Sequence, residues 1–267
     1  MSETTSERVQ EELTQNILVD EKNSVIINPS ENFVKSVIDK ISDGANVGNI
    51  RMAANEDTVK SVMREFLPAS KASELIDSGD LTLRTSTEAI NGSVIAIGGD
   101  IRCIVDLNGT LVITEGQEYT RDIESTIESI WENSSEFNIR TPSLRKIYAT
   151  MRDELGDEVA EDYQNIIEGM ENSRTSDDGM DEVATALLVA SKHNILLYDV
   201  SKWGEDCGLA SKAKFSRTKT RLEDNGYIDT EKVPIDVGRP RLRLKLAPNV
   251  FEEDYDSQVI SIVQSTI

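Results

Sequence analysis

The chain has one histidine, His193, and two cysteines, Cys103 and Cys207, among 267 residues. The cysteines stand in unrelated segments without metal-ligand spacing, so neither a structural zinc site nor a disulfide framework is expected. A single histidine with no nucleophile motif beside it leaves Ser/His/Asp and Cys/His catalysis without support. There is no P-loop and no G-x-G-x-x-G run. With 49 Asp and Glu, accidental carboxylate neighbours are assured, so a pair of acids carries no catalytic meaning. No enzyme activity, metal or cofactor is therefore expected. No apolar run approaches the length that spans a bilayer. The opening Met1-Ser2-Glu3-Thr4-Thr5-Ser6 lacks the basic and apolar regions of a signal peptide. A soluble, cytoplasmic protein without membrane contact is expected.

Basic residues are also scarce, 28 against 49 acids, for a formal charge of −21. Taken whole, that charge argues against nucleic acid. Its distribution argues the other way. Residues 211–245 hold ten basic and five acidic residues, a local balance of +5 against −26 for the remainder. A basic island on an acidic body is the electrostatic footprint of a nucleic-acid surface. The acids elsewhere are spread over every segment. Large apolar residues are few, while Ser, Thr, Val and Ala are many. Such composition suits a cytoplasm of molar salt, where self-repulsion is screened within a few ångströms. A halophilic archaeal origin is the expectation, and an ordinary acidic mesophilic protein the alternative.

The hydrophobic share of 38% suffices for folded cores, and the length suits one large or two ordinary domains. Periodicity predicts a helix over Thr5–Gln15 and a strand at Ser24–Asn28. A helix capped by Ser30 runs to Ile41, and a strand follows at Asn49–Ala54. Asp57 caps the next helix and Pro68 opens another. This β-α-β-α start favours parallel neighbours. Leu81–Thr85 then alternates. Ser93–Ile97 and Ile101–Val105 read as strands about the turn Gly98-Gly99-Asp100, and Thr110–Thr114 follows the turn Asp106-Leu107-Asn108-Gly109. Thr120–Phe137 is a long helix. Residues 1–140 are thus expected to form an α/β domain with a mixed sheet and a sensing or dimerisation role. Ligands of open α/β sheets sit at strand carboxyl ends. That singles out Asn28, Ser30 and Asn55 as candidate ligand residues, against the plainer reading of Ser30 as a helix cap.

Residues 141–179 read as a helical connector and linker: amphipathic helices Ser143–Leu155 and Asp157–Met170, then the Asn/Ser/Asp-rich stretch Glu171–Gly179. Residues 180–250 carry the strongest pattern. Met180–His193 is a helix with Val183, Ala184, Leu187, Leu188 and Ser191 inward. Asp199 or Ser201 opens a short helix to Cys207, and Gly208-Leu209-Ala210 is a turn of the helix-turn-helix kind. Ser211 caps the next helix. Phe215, Thr218 and Leu222 face inward. Lys212, Lys214, Ser216, Arg217, Lys219, Thr220 and Arg221 face outward. Asn225-Gly226 ends it. Tyr227–Ile235, the turn Asp236-Val237-Gly238-Arg239-Pro240 and the alternating Arg241–Leu246 form a hairpin with a basic tip. Period two puts Leu242, Leu244 and Leu246 on the core and Arg241, Arg243 and Lys245 opposite. Helix, helix, basic helix and hairpin is the order of a winged helix-turn-helix. The expected fold class is an α/β amino-terminal domain plus a carboxyl-terminal α+β winged helix. Residues 251–267 form a tail whose apolar run Val259-Ile260-Ser261-Ile262-Val263 either caps the core or packs on a partner subunit.

The chemistry follows from that order. A helix fits the major groove, and its first residues reach base edges. Arg217 can grip guanine through two parallel hydrogen bonds. Lys212, Lys214 and Lys219 suit phosphates, and Ser211 and Ser216 can donate to phosphate oxygens. Thr220 and Arg221 complete the outward face. Arg239 and Arg241 stand on a stiff turn that suits the narrow minor groove of A·T-rich DNA. Trp203 and Phe215 read as packing.

The run from Leu196 through Trp203, Gly204, Lys212, Phe215, Arg217, Lys219, Arg221, Leu222 and Gly226 to Val233-Pro234-Ile235-Asp236-Val237-Gly238-Arg239-Pro240-Arg241-Leu242 resembles the TbsP family of haloarchaeal transcriptional regulators. The resemblance extends over the chain, including Asn32-Phe33-Val34 and Thr141-Pro142-Ser143-Leu144. It implies a winged-helix DNA-binding regulator linked, alongside TrmB-type regulators, to sugar-responsive control of central carbon metabolism. The front strand order is also similar to a half-repeat of the phospholipase D-like sensor fold. That fold's His-x-Lys signature is missing, since Ile195 stands two residues after His193. Catalysis of that kind is excluded.

The expected partners are double-stranded promoter DNA, a second copy in a homodimer reading two half-sites, and a small-molecule metabolite as effector. Repression by promoter occupancy is the expected mechanism. The competing readings are a winged-helix protein-interaction subunit of a larger assembly and an enzyme with an appended DNA-binding domain.

Overall fold

A computed structural model of the chain describes residues 23–45, 48–88, 92–97, 100–107, 110–116, 120–173, 180–236, 238, 240–248 and 255–265. The expected helix over Thr5–Gln15, the turn residues Gly98, Gly99, Asn108 and Gly109, the linker residues 174–179, the wing-tip residues Val237 and Arg239, and residues 251–254 of the tail lie outside them. The chain divides into two compact units, Met1–Ile139 and Arg140–Ile267.

The first unit is a seven-stranded mixed sheet. Its strands are β1 (Ser24–Ile27), β2 (Ile50–Asn55), β3 (Leu81–Ser86), β4 (Ser93–Ile97), β5 (Asp100–Leu107), β6 (Thr110–Gly116) and β7 (Ser135–Glu136). They lie in the order β6-β5-β4-β1-β2-β3-β7. β1, β2 and β3 run parallel, while β4, β5 and β6 join as an antiparallel meander on one side and β7 pairs antiparallel on the other. The helices are α1 (Glu31–Ser42), α2 (Glu56–Val62), α3 (Phe66–Ser78) and α4 (Thr120–Asn133).

Strand alternation divides the apolar residues between two cores. Ile26, Met52, Leu83 and Ile95 pack with Phe33, Val37 and Ile38 of α1, Val59 and Val62 of α2, and Ala72 and Leu75 of α3. Val25, Ile27 and Ala53 point the other way and pack with Ile127, Ile130 and Trp131 of α4. Two arginines of the sheet hold α4 down. Arg51 makes bidentate bonds to Glu128 at 2.9 and 3.0 Å. That hydrogen bonding holds the Glu128 carboxyl below its ordinary range. The Arg84 guanidinium lies 4.4 Å from the Trp131 ring centre and donates to the Trp131 carbonyl at 3.0 Å.

The second unit holds α5 (Leu144–Leu155), α6 (Asp157–Ser173), α7 (Glu182–Lys192), α8 (Leu197–Cys207), α9 (Lys212–Asp224), the hairpin β8 (Ile228–Val233) and β9 (Arg241–Leu246), and α10 (Tyr255–Ser265). The sequence suggests a connector at α5 and α6, but both are built into this unit. α6 buries Val159, Ala160, Tyr163, Ile166, Ile167 and Met170. The apolar tail forms α10 and buries Val259, Ile262 and Val263 within its own unit. Gly169 of α6 allows its close approach, since a Cβ there would stand 2.7 Å from Ile260 Cδ1.

Three helices start earlier than their sequence signals suggest. α2 is capped by Asn55, whose Oδ1 accepts from Asp57 N at 2.9 Å, so Asp57 lies in the first turn. α3 starts at Phe66, which places Pro68 in its first turn. A missing N–H costs nothing there, because no intrahelical acceptor faces it. α8 starts at Leu197 rather than at Asp199 or Ser201. Leu196 serves as N-cap with no side-chain bond, and its extended backbone bridges to Arg243 of β9. Strand pairing rather than a capping side chain sets that start.

Candidate nucleic-acid interface

α7, α8 and α9 enclose Val183, Leu187, Val200, Trp203, Phe215 and Leu222, all with no exposed surface. Trp203 Nε1 donates to Thr150 Oγ1 of α5 at 3.0 Å, which satisfies the one polar atom of a buried indole. α8 ends at Gly208, whose φ of +90° is the left-handed region that glycine adopts without steric cost. The turn is closed by Leu209 N to Gly204 O at 2.8 Å and Ala210 N to Gly204 O at 3.2 Å. Ser211 then caps α9 by accepting from Lys214 N. Phe215, Thr218 and Leu222 are buried, as their spacing predicts.

The outward residues divide into two groups. Ser211, Lys212, Ala213, Ser216, Arg217 and Thr220 are exposed on one stripe. Arg217 has no carboxylate partner among the described residues. Its Nε donates back to Ala213 O at 3.3 Å, which lays the side chain along the first turns of α9. Lys214, Lys219 and Arg221 are turned toward the body of the unit. Lys214 pairs with Glu182 at 2.6 Å and Arg221 with Asp181, so two positions seven apart tie α9 to the amino end of α7. Lys219 pairs with Glu223 at 2.6 Å. Burial raises the Glu223 carboxyl, but bonds from Lys219 and Thr230 outweigh it and hold that group below its ordinary value. Lys212, although exposed, is held by Glu205 at 2.6 Å. The helix is therefore less basic toward solvent than its composition suggests.

In the wing, β8 and β9 pair from Ile228↔Leu246 to Val233↔Arg241. The residues preceding α8 add to this ribbon, with Leu244 N bonding Ile195 O at 2.9 Å. Leu244 is buried, whereas Leu242 and Leu246 are half-buried at the ends of the ribbon. Arg241 stacks on Tyr198 with its guanidinium 4.1 Å from the ring centre and lies 3.6 Å from Asp199. Lys245 pairs with Glu231 at 2.7 Å. Sequence reasoning missed Tyr198, Asp199, Ala213 and the acids that pair with the basic helix. Signals existed for Ala213, which falls on the Ser216–Arg217–Thr220 stripe at helical spacing, and for Glu223, four residues after Lys219 on the same helix.

The candidate ligand residues lie at the carboxyl ends of the neighbouring strands β1 and β2. Asn28, at φ +52°, has its N–H bonded to Ala53 O at 2.7 Å and its side-chain amide to Gly92 O at 3.0 Å. Ser30 caps α1 through Phe33 N, and Asn55 caps α2. The structure gathers the three at one edge and uses each in shaping it. No group of three His, Cys, Asp or Glu that could hold a metal ion occurs among the described residues. None of their helices is long and apolar enough to cross a membrane.

Two family models match end to end. Residues 1–142 match the amino-terminal domain, and residues 143–264 the carboxyl-terminal helix-turn-helix domain, of TbsP-like transcriptional regulators. The chain belongs to this family. The family is one of transcriptional regulators, which is not a class of enzyme, and residues 143–264 are its helix-turn-helix domain. No curated protein matches the chain. Among solved structures it is similar to TrmBL2, an archaeal chromatin protein whose structure shows a novel mode of DNA binding, at 10% identity and a TM-score of 0.36. The match covers 50% of this chain and 51% of that one, so the TbsP-like chain spans about half the length of that relative.

Proposed function

We propose that this TbsP-like regulator binds promoter DNA as a homodimer and represses genes of central carbon metabolism in response to a sugar-derived metabolite. The observation that carries the DNA-reading part is the exposed stripe of α9, where Arg217 stands without a carboxylate partner among the described residues. In this reading α9 lies in the major groove with Arg217 on guanine, Ser211, Ser216, Thr220 and Lys212 line the groove, and Arg241 with Arg239 serves the minor groove. Lys214, Lys219 and Arg221 set the pose of the helix through their ion pairs and stand back from the groove. The carbon-metabolism role is carried by the family resemblance. For the effector we favour the carboxyl edge of β1 and β2 at Asn28, Ser30 and Asn55, where open α/β sheets take ligands.

The test is selection of bound fragments from the source's own genomic DNA in molar KCl, beside the double variant Arg217→Glu with Arg239→Glu. Enrichment of a few promoters by the wild type alone, in pairs of half-sites, supports the reading. A second reading, a protein-interaction subunit, is favoured by the ion pairing of Lys212, Lys214, Lys219 and Arg221. It gains if neither protein enriches any fragment while both copurify with the same assembly. For the effector, a panel of sugar phosphates that leaves both the melting temperature and the enrichment unchanged counts against that site.

A further inference from the structure

We infer that Tyr198 positions the wing for DNA, by holding the Arg241 guanidinium on its ring. The inference rests on the DNA-binding reading above and adds a residue that lies outside both the recognition helix and the wing. The exposed large apolar side chains among the described residues are Tyr198, at 46%, and Ile235, at 39%. Both flank the hairpin. Ile235 stands in the turn, and Tyr198 stands on α8 against the first residue of β9. The Tyr198 ring is left open in a unit that buries Trp203 and Phe215 completely, and its face carries the Arg241 guanidinium. The stack on Arg241 gives it a role.

The geometry suits that role. Arg241 is the turn-side end of β9, paired with Val233, where a hairpin has fewest bonds to fix its direction. Its guanidinium lies 4.1 Å from the Tyr198 ring centre, with Asp199 3.6 Å from Nη1. Stacking engages the face of a guanidinium and leaves its in-plane N–H groups available. Those are the donors that a phosphate or a groove edge takes in pairs. The ring thus fixes the direction of Arg241, and the N–H groups other than those of Nη1, which faces Asp199, stay available. A residue of α8 therefore holds the base of the wing.

The experiment uses the full chain in molar KCl, with Tyr198→Ala, Tyr198→Leu and Tyr198→Phe. The first readout is amide hydrogen exchange over residues 241–246 without DNA. The second is affinity, and its slope against salt, for fragments that the wild type selects. Exchange should quicken in the Ala and Leu variants and stay near wild type in the Phe variant. Affinity should fall about tenfold for Ala and Leu, with base preference unchanged and the salt slope lowered by about one, while Phe retains it. Unchanged exchange in Tyr198→Ala would overturn the inference. So would a Phe variant as weak as the Ala variant, because the hydroxyl rather than the ring would then be the working part. The exchange arm needs no DNA. If the wild type selects no fragment, the DNA reading fails while exchange still decides whether the ring holds the wing.

Discussion

Phe215 occupies the space that any side chain at Gly204 would need. A Cβ built on Gly204 would overlap Cε2 and Cζ of the Phe215 ring, which has no exposed surface and no room to turn away. This contact sets how closely α8 and α9 cross. Gly204→Ala should therefore destabilise the second unit by about 1–3 kcal/mol, despite alanine's better helix propensity. Equilibrium urea unfolding in molar KCl measures it. Equal stability of the two proteins would show that α9 can slide without cost.

Asp181 serves two helices with one carboxylate. Its Oδ1 caps α7 by accepting from Val183 N and Ala184 N, and its Oδ2 takes Arg221 of α9. Asp181→Asn keeps the cap and should cost under about 1 kcal/mol, since Arg221 is 40% exposed and its pair is partly screened. Asp181→Ala removes both roles and should cost about 1–2 kcal/mol. Denaturant midpoints for the two variants should fall in that order.

The carboxylate of Asp162 makes part of the stability depend on pH. Burial raises its pKa, but bonds from Lys192 and His193, at 2.7 and 2.6 Å, outweigh that and leave it below the ordinary value. A group depressed in the folded state contributes fully above its unfolded pKa, near 4. That contribution is lost as pH falls through the folded value. Asp162→Asn should thus be less stable than wild type at pH 7 and converge with it as pH falls below about 4. Parallel curves across that range would show that the pair contributes nothing.

In the proposed DNA complex, Glu205 competes with a phosphate for Lys212. The two lie 2.6 Å apart, and that bond lowers the Glu205 carboxyl and raises the Lys212 ammonium from their ordinary values. Glu205→Gln frees the ammonium for a phosphate. It should tighten binding to every fragment by roughly twofold to fivefold and steepen the salt dependence. Filter binding across a KCl series measures both. Weaker binding would mean that Glu205 orients Lys212 toward the phosphate.

Arg217 should behave differently from Lys212. On the proposed reading Arg217→Ala removes a base contact, so it should cost about 1–3 kcal/mol of discrimination at one base pair in each proposed half-site. Lys212→Ala should weaken all fragments alike. Selection profiles of the two variants separate base reading from phosphate contact. A uniform loss for Arg217→Ala would move that residue to the phosphates.

Local patterns carried far in this chain because its helices and strands are short and amphipathic. Phe215, Thr218 and Leu222 at helical spacing place α9, and the alternation of Arg241–Leu246 places β9. The Gly208 turn and the Ser211 cap fix the joint between α8 and α9. The start of α8 was not legible, because Leu196 is fixed by pairing with Arg243, a partner 47 residues away with no local signal. The placement of α5, α6 and α10 within the second unit was equally hidden, since an amphipathic stripe says that a helix buries a face and not what it buries it against.

The sequence by itself determined most element types, the basic island and the outward stripe of α9, because period, capping and charge are properties of neighbours along the chain; the strand Ser135–Glu136, read as the end of the helix from Thr120, is set by its pairing with Arg84 and Thr85. Only the tertiary structure decided which cations stay exposed. Lys214, Lys219 and Arg221 share a helix with Arg217 and the same charge. Their carboxylate partners sit 32, 4 and 40 residues away, and of these only Glu223 of the same helix lies within a turn. Chain folding brings Glu182 and Asp181 to α9, and proximity in space governs whether an ammonium or guanidinium meets a carboxylate or is left to meet a phosphate.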